Sequence, residues 1–126
     1  MRTLQVVLAT IVITVQPPSA NATDIQKGRI GFIRCMACHT LKPGEPHKVG
    51  PNLRKVISAR AASADGYLYS DGMRTSGVTW DEQTLRRFIT HPPTVVPGTS
   101  MAYVNTLSET EIDNLIAFLK TETTSP

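Results

Sequence analysis

The chain has 126 residues, with 13 basic and 10 acidic side chains, three histidines and two cysteines. That length suits one domain. The formal charge of +3 is spread thinly, with no Lys/Arg run beyond the pairs Arg54-Lys55 and Arg86-Arg87, so nucleic-acid binding, which needs a basic stripe or patch, finds no support.

Residues 1–22 read as a segment apart. Arg2 is its one charge, an apolar run extends from Leu4 to Val15, Pro17 and Pro18 break the run, and Ser19-Ala20-Asn21-Ala22 ends in a small-x-small pattern. That order describes a secretory signal peptide. The run is too short to span a bilayer, which takes roughly 20 residues, so the reading is cleavage after Ala22 rather than a retained anchor. Export then places residues 23–126, a single domain without stable membrane insertion, in an oxidising space, most simply a bacterial periplasm.

In chain order, Asp24 is placed to cap a helix running towards Cys35, with Ile25, Gly28 and Phe32 near one face. A glycine inside a helix costs about 1 kcal/mol relative to alanine, and close approach by another helix accounts for Gly28. Pro43, Gly44 and Pro46 make residues 40–50 a loop, and residues 54–69 have no clear period. Ser70 to Ser76 reads as a short helix stopped by Gly77. Thr79 and Glu82 are spaced as a capping box for a helix with Leu85, Phe88 and Ile89 on one face, which His91-Pro92-Pro93 ends. Val95 to Tyr103 is a loop turning at Pro97-Gly98. Ser108 with Glu111 forms a second capping box, and Leu107 with Ile112 is spaced as a hydrophobic staple. The last helix carries Ile112, Leu115, Ile116 and Leu119 on one face, with Phe118 beside them, before a polar tail from Thr121. No strand pattern or internal repeat is present. The class is therefore all-α, with four or five helices joined by long loops. Loops of that length in a compact domain need something further to order them, and a bound cofactor would do so.

Cys35-Met36-Ala37-Cys38-His39 has the spacing of covalent haem attachment. Two thiols about one turn apart can each add to a vinyl group on one porphyrin edge, while His39 offers a nitrogen to the iron. A structural disulfide needs no histidine. A thioredoxin-like pair follows a strand, and a zinc site needs a fourth ligand and usually a second cysteine pair. The candidates for the second axial ligand are Met36, Met73, Met101, His47 and His91. Met36 lies between the cysteines and cannot reach the opposite haem face. His91 precedes two prolines at a helix end, where a plain surface role fits. Met101 lies in an irregular loop beside Gly98 and Ser100, unlike the apolar stripe in which methionine serves as filler. Spacing alone leaves the choice open.

The stretches CMACHTLKPGEPHKVGPNL, GYLYSDGMRTSGVTWDEQTL, VPGTSMAY and NLIAFLK resemble, in order and over nearly all of residues 24–120, the class I cytochromes c of mitochondria and bacteria. The resemblance implies a cytochrome c fold in which the N- and C-terminal helices cross at Gly28 against Phe118. It implies one covalent haem c on Cys35 and Cys38, with His39 and Met101 as axial ligands. It also implies that the Pro51 carbonyl accepts a hydrogen bond from the His39 ring, that Tyr67, Tyr69, Trp80 and Thr99 hold or surround the propionates, and that His47 pins a loop. Two departures touch the pocket. Phe88 stands where many relatives have a tyrosine bonded to the ligand sulfur, and Arg60 is displaced by one residue from the family's propionate arginine. The lysines that ring the haem edge in relatives are replaced by Pro93, Thr94, Ser100, Leu107 and Ser108, while Arg34, Lys48 and Arg86 remain. The implied function is that of a monomeric, soluble one-electron carrier, not an enzyme. It would run between redox partner proteins: a membrane cytochrome complex, and an oxidase, reaction centre or reductase. A haem-based peroxidase-like enzyme or gas sensor with a weak sixth ligand is the alternative.

Overall fold

The computed structural model describes residues 11–13, 15 and 21–124; most of the leader read over residues 1–22 lies outside the described residues. Among the described residues five helices follow one another, α1 (Ala22–Phe32), α2 (Asp71–Thr75), α3 (Glu82–Thr90), α4 (Pro92–Val95) and α5 (Glu109–Thr124). Among the described residues the only extended pairing is an isolated antiparallel bridge between Arg60 and Thr79. The all-α class read from the sequence holds.

α1 is capped by Asn21, whose side-chain oxygen accepts the Asp24 N–H at 2.9 Å, and not by Asp24 itself. Asn and Asp cap equally well. Because the chain is already helical at Ala22, the cap falls upstream, and Asp24 sits in the first turn, where its charge faces the positive end of the helix. α1 crosses α5 at Gly28. A Cβ at Gly28 would overlap the Asn114 carbonyl oxygen and lie 2.7 Å from Phe118 Cβ. The Phe32 and Phe118 rings meet with centroids 5.7 Å apart.

α5 begins with the reciprocal cap read from the sequence. Ser108 N–H donates to Glu111 Oε2 at 2.8 Å, and Glu111 N–H donates to Ser108 Oγ at 3.3 Å. The helix then runs to Thr124, through residues expected to be a solvated tail. Within this last stretch the threonine hydroxyls bond back to carbonyls one turn earlier, Thr121 to Phe118 at 2.7 Å and Thr123 to Leu119 at 2.9 Å. α3 lies against α5, tied by Lys120–Glu82 at 2.5 Å and by an Arg86–Asp113 ion pair.

Two boundaries around α3 differ from the sequence reading. Asp81, not Thr79, is its cap, accepting the Thr84 N–H at 2.7 Å, because Thr79 is held extended by its bridge to Arg60. The prolines that end α3 also start α4, with Pro92 at its first position, where a missing N–H costs nothing. α4 runs to Val95, so the loop begins at Val96 rather than Val95, with Pro92 and Val96 fully buried.

Substituting Gly28 by alanine tests the crossing by sign. Intrinsic propensity favours alanine by about 1 kcal/mol, whereas overpacking against the Asn114 backbone costs about 1–3 kcal/mol. Gly28→Ala is expected to lower the guanidinium unfolding midpoint of the holoprotein; a raised midpoint would contradict the packing described here.

Candidate functional site

α1 runs out at Phe32 and the chain continues in turns to Cys38. The N–H groups of Cys38 and His39 both donate to the Cys35 carbonyl, at 3.1 and 2.9 Å. One irregular turn thus separates the two sulfurs and sets His39 beside them. Cys35 is half-buried and Cys38 exposed, and both are free thiols. Burial pushes the Cys35 thiol up to about 11, the reverse of the lowered thiol that a disulfide-exchanging pair needs.

His39 Nδ1 lies 2.7 Å from the Pro51 carbonyl oxygen. A carbonyl can only accept, so Nδ1 carries the hydrogen and Nε2 keeps its lone pair for a metal. Gly50 makes room for the ring, since a Cβ there would overlap it, with Nδ1 at 2.7 Å and Nε2 at 2.8 Å. Gly50 N–H donates to the Cys38 carbonyl at 2.7 Å and closes the proline loop onto the motif. Burial, ahead of any neighbouring group, holds His39 below the usual imidazole range. The ring is therefore kept neutral, as a metal ligand must be.

These groups open into a cavity of about 1160 Å³, and every residue that the family resemblance assigns to the site lines it. Cys35, Cys38 and His39 form one part of the wall, with Pro51 beside them, and Thr99 and Met101 come from the loop after α4. Trp80 and Phe88 pack at 4.7 Å between ring centroids. Tyr67 and Tyr69 meet edge to face, also at 4.7 Å. The Tyr67 hydroxyl donates to the Val49 carbonyl at 2.5 Å, and the Tyr69 hydroxyl accepts the Ala64 N–H at 3.1 Å. Pockets for small ligands run to about 1,000 Å³. This one is larger and mostly apolar, with Phe32, Leu85, Ile89, Leu115 and Leu119 completing it, which suits a porphyrin.

The five candidates for the second axial ligand separate. Met36 is 53% exposed and lies outside the cavity wall. His91 is exposed, with Nδ1 2.6 Å from Thr94 Oγ1. His47 touches the cavity, but both its nitrogens are engaged. The Asn52 N–H donates to Nδ1 at 2.9 Å, and Nε2 donates to the Asp65 carbonyl at 2.7 Å. Met73 and Met101 remain on the cavity wall. Met73 is buried within α2. Met101 is half-buried, and its N–H donates to Thr99 Oγ1 at 3.2 Å.

The sequence reading did not single out Gly50, Arg54 or Lys55, all on the cavity wall. It took Leu85 and Ile89 as core without seeing what they pack against. Periodicity had marked these two as buried; for Arg54 and Lys55 no sequence signal was available. Arg60 also lines the cavity, one residue beyond Ala59.

A helical protein with a CxxCH turn opening into one large apolar cavity is a c-type haem protein. The family model for cytochrome c matches residues 25–123. A cytochrome c2 of Rhodoblastus acidophilus is 42% identical over 98 residues, which is 78% of this chain and 92% of that protein. Cytochrome c-550 of Bradyrhizobium diazoefficiens is 41% identical over 92 residues, covering 73% and 68%. The structure is similar to that of cytochrome cH from Methylobacterium extorquens, with a TM-score of 0.73 and 39% identity over 78% of this chain and 98% of that one. The chain belongs to the cytochrome c family: it is an electron-transfer protein, not an enzyme, and its cofactor is one covalently bound haem c.

The bonding of His47 makes it a latch between two loops. Its two hydrogen bonds are worth about 1 kcal/mol each. His47→Ala is expected to lower stability by about 1–2 kcal/mol in a denaturant titration and to leave the visible spectrum of the iron unchanged. A changed ligand spectrum at full stability would assign His47 to the iron instead.

Proposed function

We propose that residues 23–126, after removal of a leader ending at Ala22, form a soluble, monomeric periplasmic one-electron carrier in which Cys35 and Cys38 hold the haem and His39 and Met101 are its axial ligands. The observation that carries this reading is the single cavity onto which the CxxCH turn and the Met101 loop both open. Among the described residues no helix is long and apolar enough to cross a membrane. The proposed cut takes the Asn21 cap and Ala22, the first residue of α1, away with the leader.

The haem supplies the one-electron couple. Donation from Nδ1 to Pro51 fixes the His39 ring and raises the basicity of Nε2. The Met101 thioether raises the potential relative to a second imidazole. Phe88, Leu85, Ile89 and Leu115 keep water out, and a low local dielectric disfavours the more charged ferric centre. Thr99 accepts the Met101 N–H and so holds the backbone from which the sulfur reaches. No residue makes or breaks a bond to a substrate.

An absorption spectrum and intact mass of exported material test the whole reading. The mass is expected to equal residues 23–126 plus one haem, and the ferric spectrum to show the weak far-red band of a sulfur–iron bond. Met101→Ala should abolish that band and lower the midpoint potential, within the ~0.8 V that axial ligands span. Bare polypeptide mass, or a band that survives Met101→Ala, would refute the ligand assignment.

The mouth of the cavity sets the partner chemistry. Arg34, Cys38, Val49, Ser100 and Ala102 lie on its wall. Ile33, Met36, Val49 and Val104 are 63%, 53%, 75% and 83% exposed, and Lys48 reaches the Met36 carbonyl. These exposed aliphatic groups favour a redox partner with a largely apolar docking face. Electrostatic steering raises encounter rates by about 10- to 1000-fold. Here the electron-transfer rate is expected to change by less than about tenfold between low and high salt; a steeper fall, read by stopped-flow, would indicate charge-steered docking.

A further inference from the structure

α2 has only five residues, yet it is firmly held. Ser70 caps it, accepting the Met73 N–H at 3.2 Å. Arg74 donates to the Tyr69 carbonyl at 2.8 Å and pairs with Asp71. Met73 anchors its inner side on the cavity wall. The second residue, Gly72, lies directly on another segment of backbone. A Cβ built on it would overlap the Pro97 carbonyl oxygen and sit 3.0 Å from the Gly98 carbonyl carbon and 3.1 Å from Gly98 Cα.

The segment it meets is the loop that carries Met101. Val96 is fully buried at the start of that loop, and Thr99 N–H donates back to the Val96 carbonyl at 3.1 Å. Thr99 Oγ1 then accepts the Met101 N–H at 3.2 Å. Gly98 turns the loop at φ +78°, and its own Cβ position lies 3.7 Å from Gly72 Cα, an ordinary contact. The approach therefore depends on Gly72 and not on its partner. Both surfaces are backbone, so no change of rotamer can relieve an atom inserted between them.

We propose that α2 is a backstop for this loop and that Gly72 is a positioning residue, whose missing side chain sets how far Met101 reaches toward the iron. The inference rests on the reading of Met101 as axial ligand. An added methyl group displaces the Pro97-Gly98 turn, and the strain falls three residues away on the sulfur–iron bond, the weakest link of the loop. Iron should then open its sixth position more often while the helices stay packed.

The test uses the holoprotein and the rate at which cyanide binds ferric iron, read beside the far-red sulfur–iron band and the denaturant midpoint. Ser108→Ala serves as control. It removes the cap of α5, costs about 1 kcal/mol, and touches nothing near the loop. Gly72→Ala is expected to bind cyanide about tenfold faster or more, the size overpacking strain allows, and to lose the band at lower pH than Ser108→Ala does. Should Gly72→Ala yield no holoprotein, Ser70→Ala decides, because it loosens α2 without adding an atom. It should speed cyanide binding severalfold relative to Ser108→Ala, and equal rates would overturn the proposal. A wild-type band with Gly72→Ala matching Ser108→Ala also overturns the backstop and leaves the ligand reading intact. No band in the wild-type protein removes Met101 as ligand, and the backstop with it.

Discussion

The large apolar cavity behind the CxxCH turn is the constraint on which the rest of the structure depends. Its wall takes Phe32 from α1, Met73 from α2, Leu85, Phe88 and Ile89 from α3, and Leu115, Leu119 and Thr123 from α5. The remainder comes from loops, including most of the stretch between α1 and α2. Those loops have too little hydrophobic periodicity to form a core with one another. What they share is a common surface to pack against, and burying a porphyrin there joins them into one cooperative unit, by the mass-action logic that stabilises any folded state a ligand prefers. The thioether attachment read at Cys35 and Cys38 makes that partner part of the chain.

Around this centre the chain divides its work. The α1–α5 crossing is a helix–helix contact made close by Gly28 and broad by Phe32 and Phe118, and it needs nothing from the cofactor. The proline loop holds the His39 imidazole through Pro51 and Gly50. The loop after α4 carries Met101, braced by Thr99 within and by α2 outside. Phe88 and Met73 share with Met101 a wall that is mostly apolar. An electron carrier benefits from that arrangement, because a stiff, dry site reorganises little when its charge changes.

The three longer helices were legible because each repeats an apolar face at helical spacing, with α3 burying Leu85, Phe88 and Ile89 as read. Their starts were less legible. Asn21 and Asp24, or Thr79 and Asp81, are equally good caps by residue type, and only the path of the backbone chooses between them. His91-Pro92-Pro93 reads as a stop, yet proline is also the residue best suited to begin a helix, which is how α4 was missed. The threonines after Leu119 read as tail because their propensity is low, and their back-bonding hydroxyls are invisible to a periodicity count. At the site, the CxxCH spacing announced haem by itself. The role of Pro51 came from family resemblance alone, and Gly50 carried no sequence signal at all. What Gly50 contributes is an absence of atoms, and only coordinates reveal which group fills such a space.

The latch at His47 has one more consequence. An imidazole that receives the Asn52 N–H at one nitrogen and gives its own hydrogen to Asp65 at the other can do both only while uncharged. One small ring therefore sets the distance between the proline loop and the segment leading to Tyr67, and a longer or shorter side chain in its place shifts that flank of the cavity.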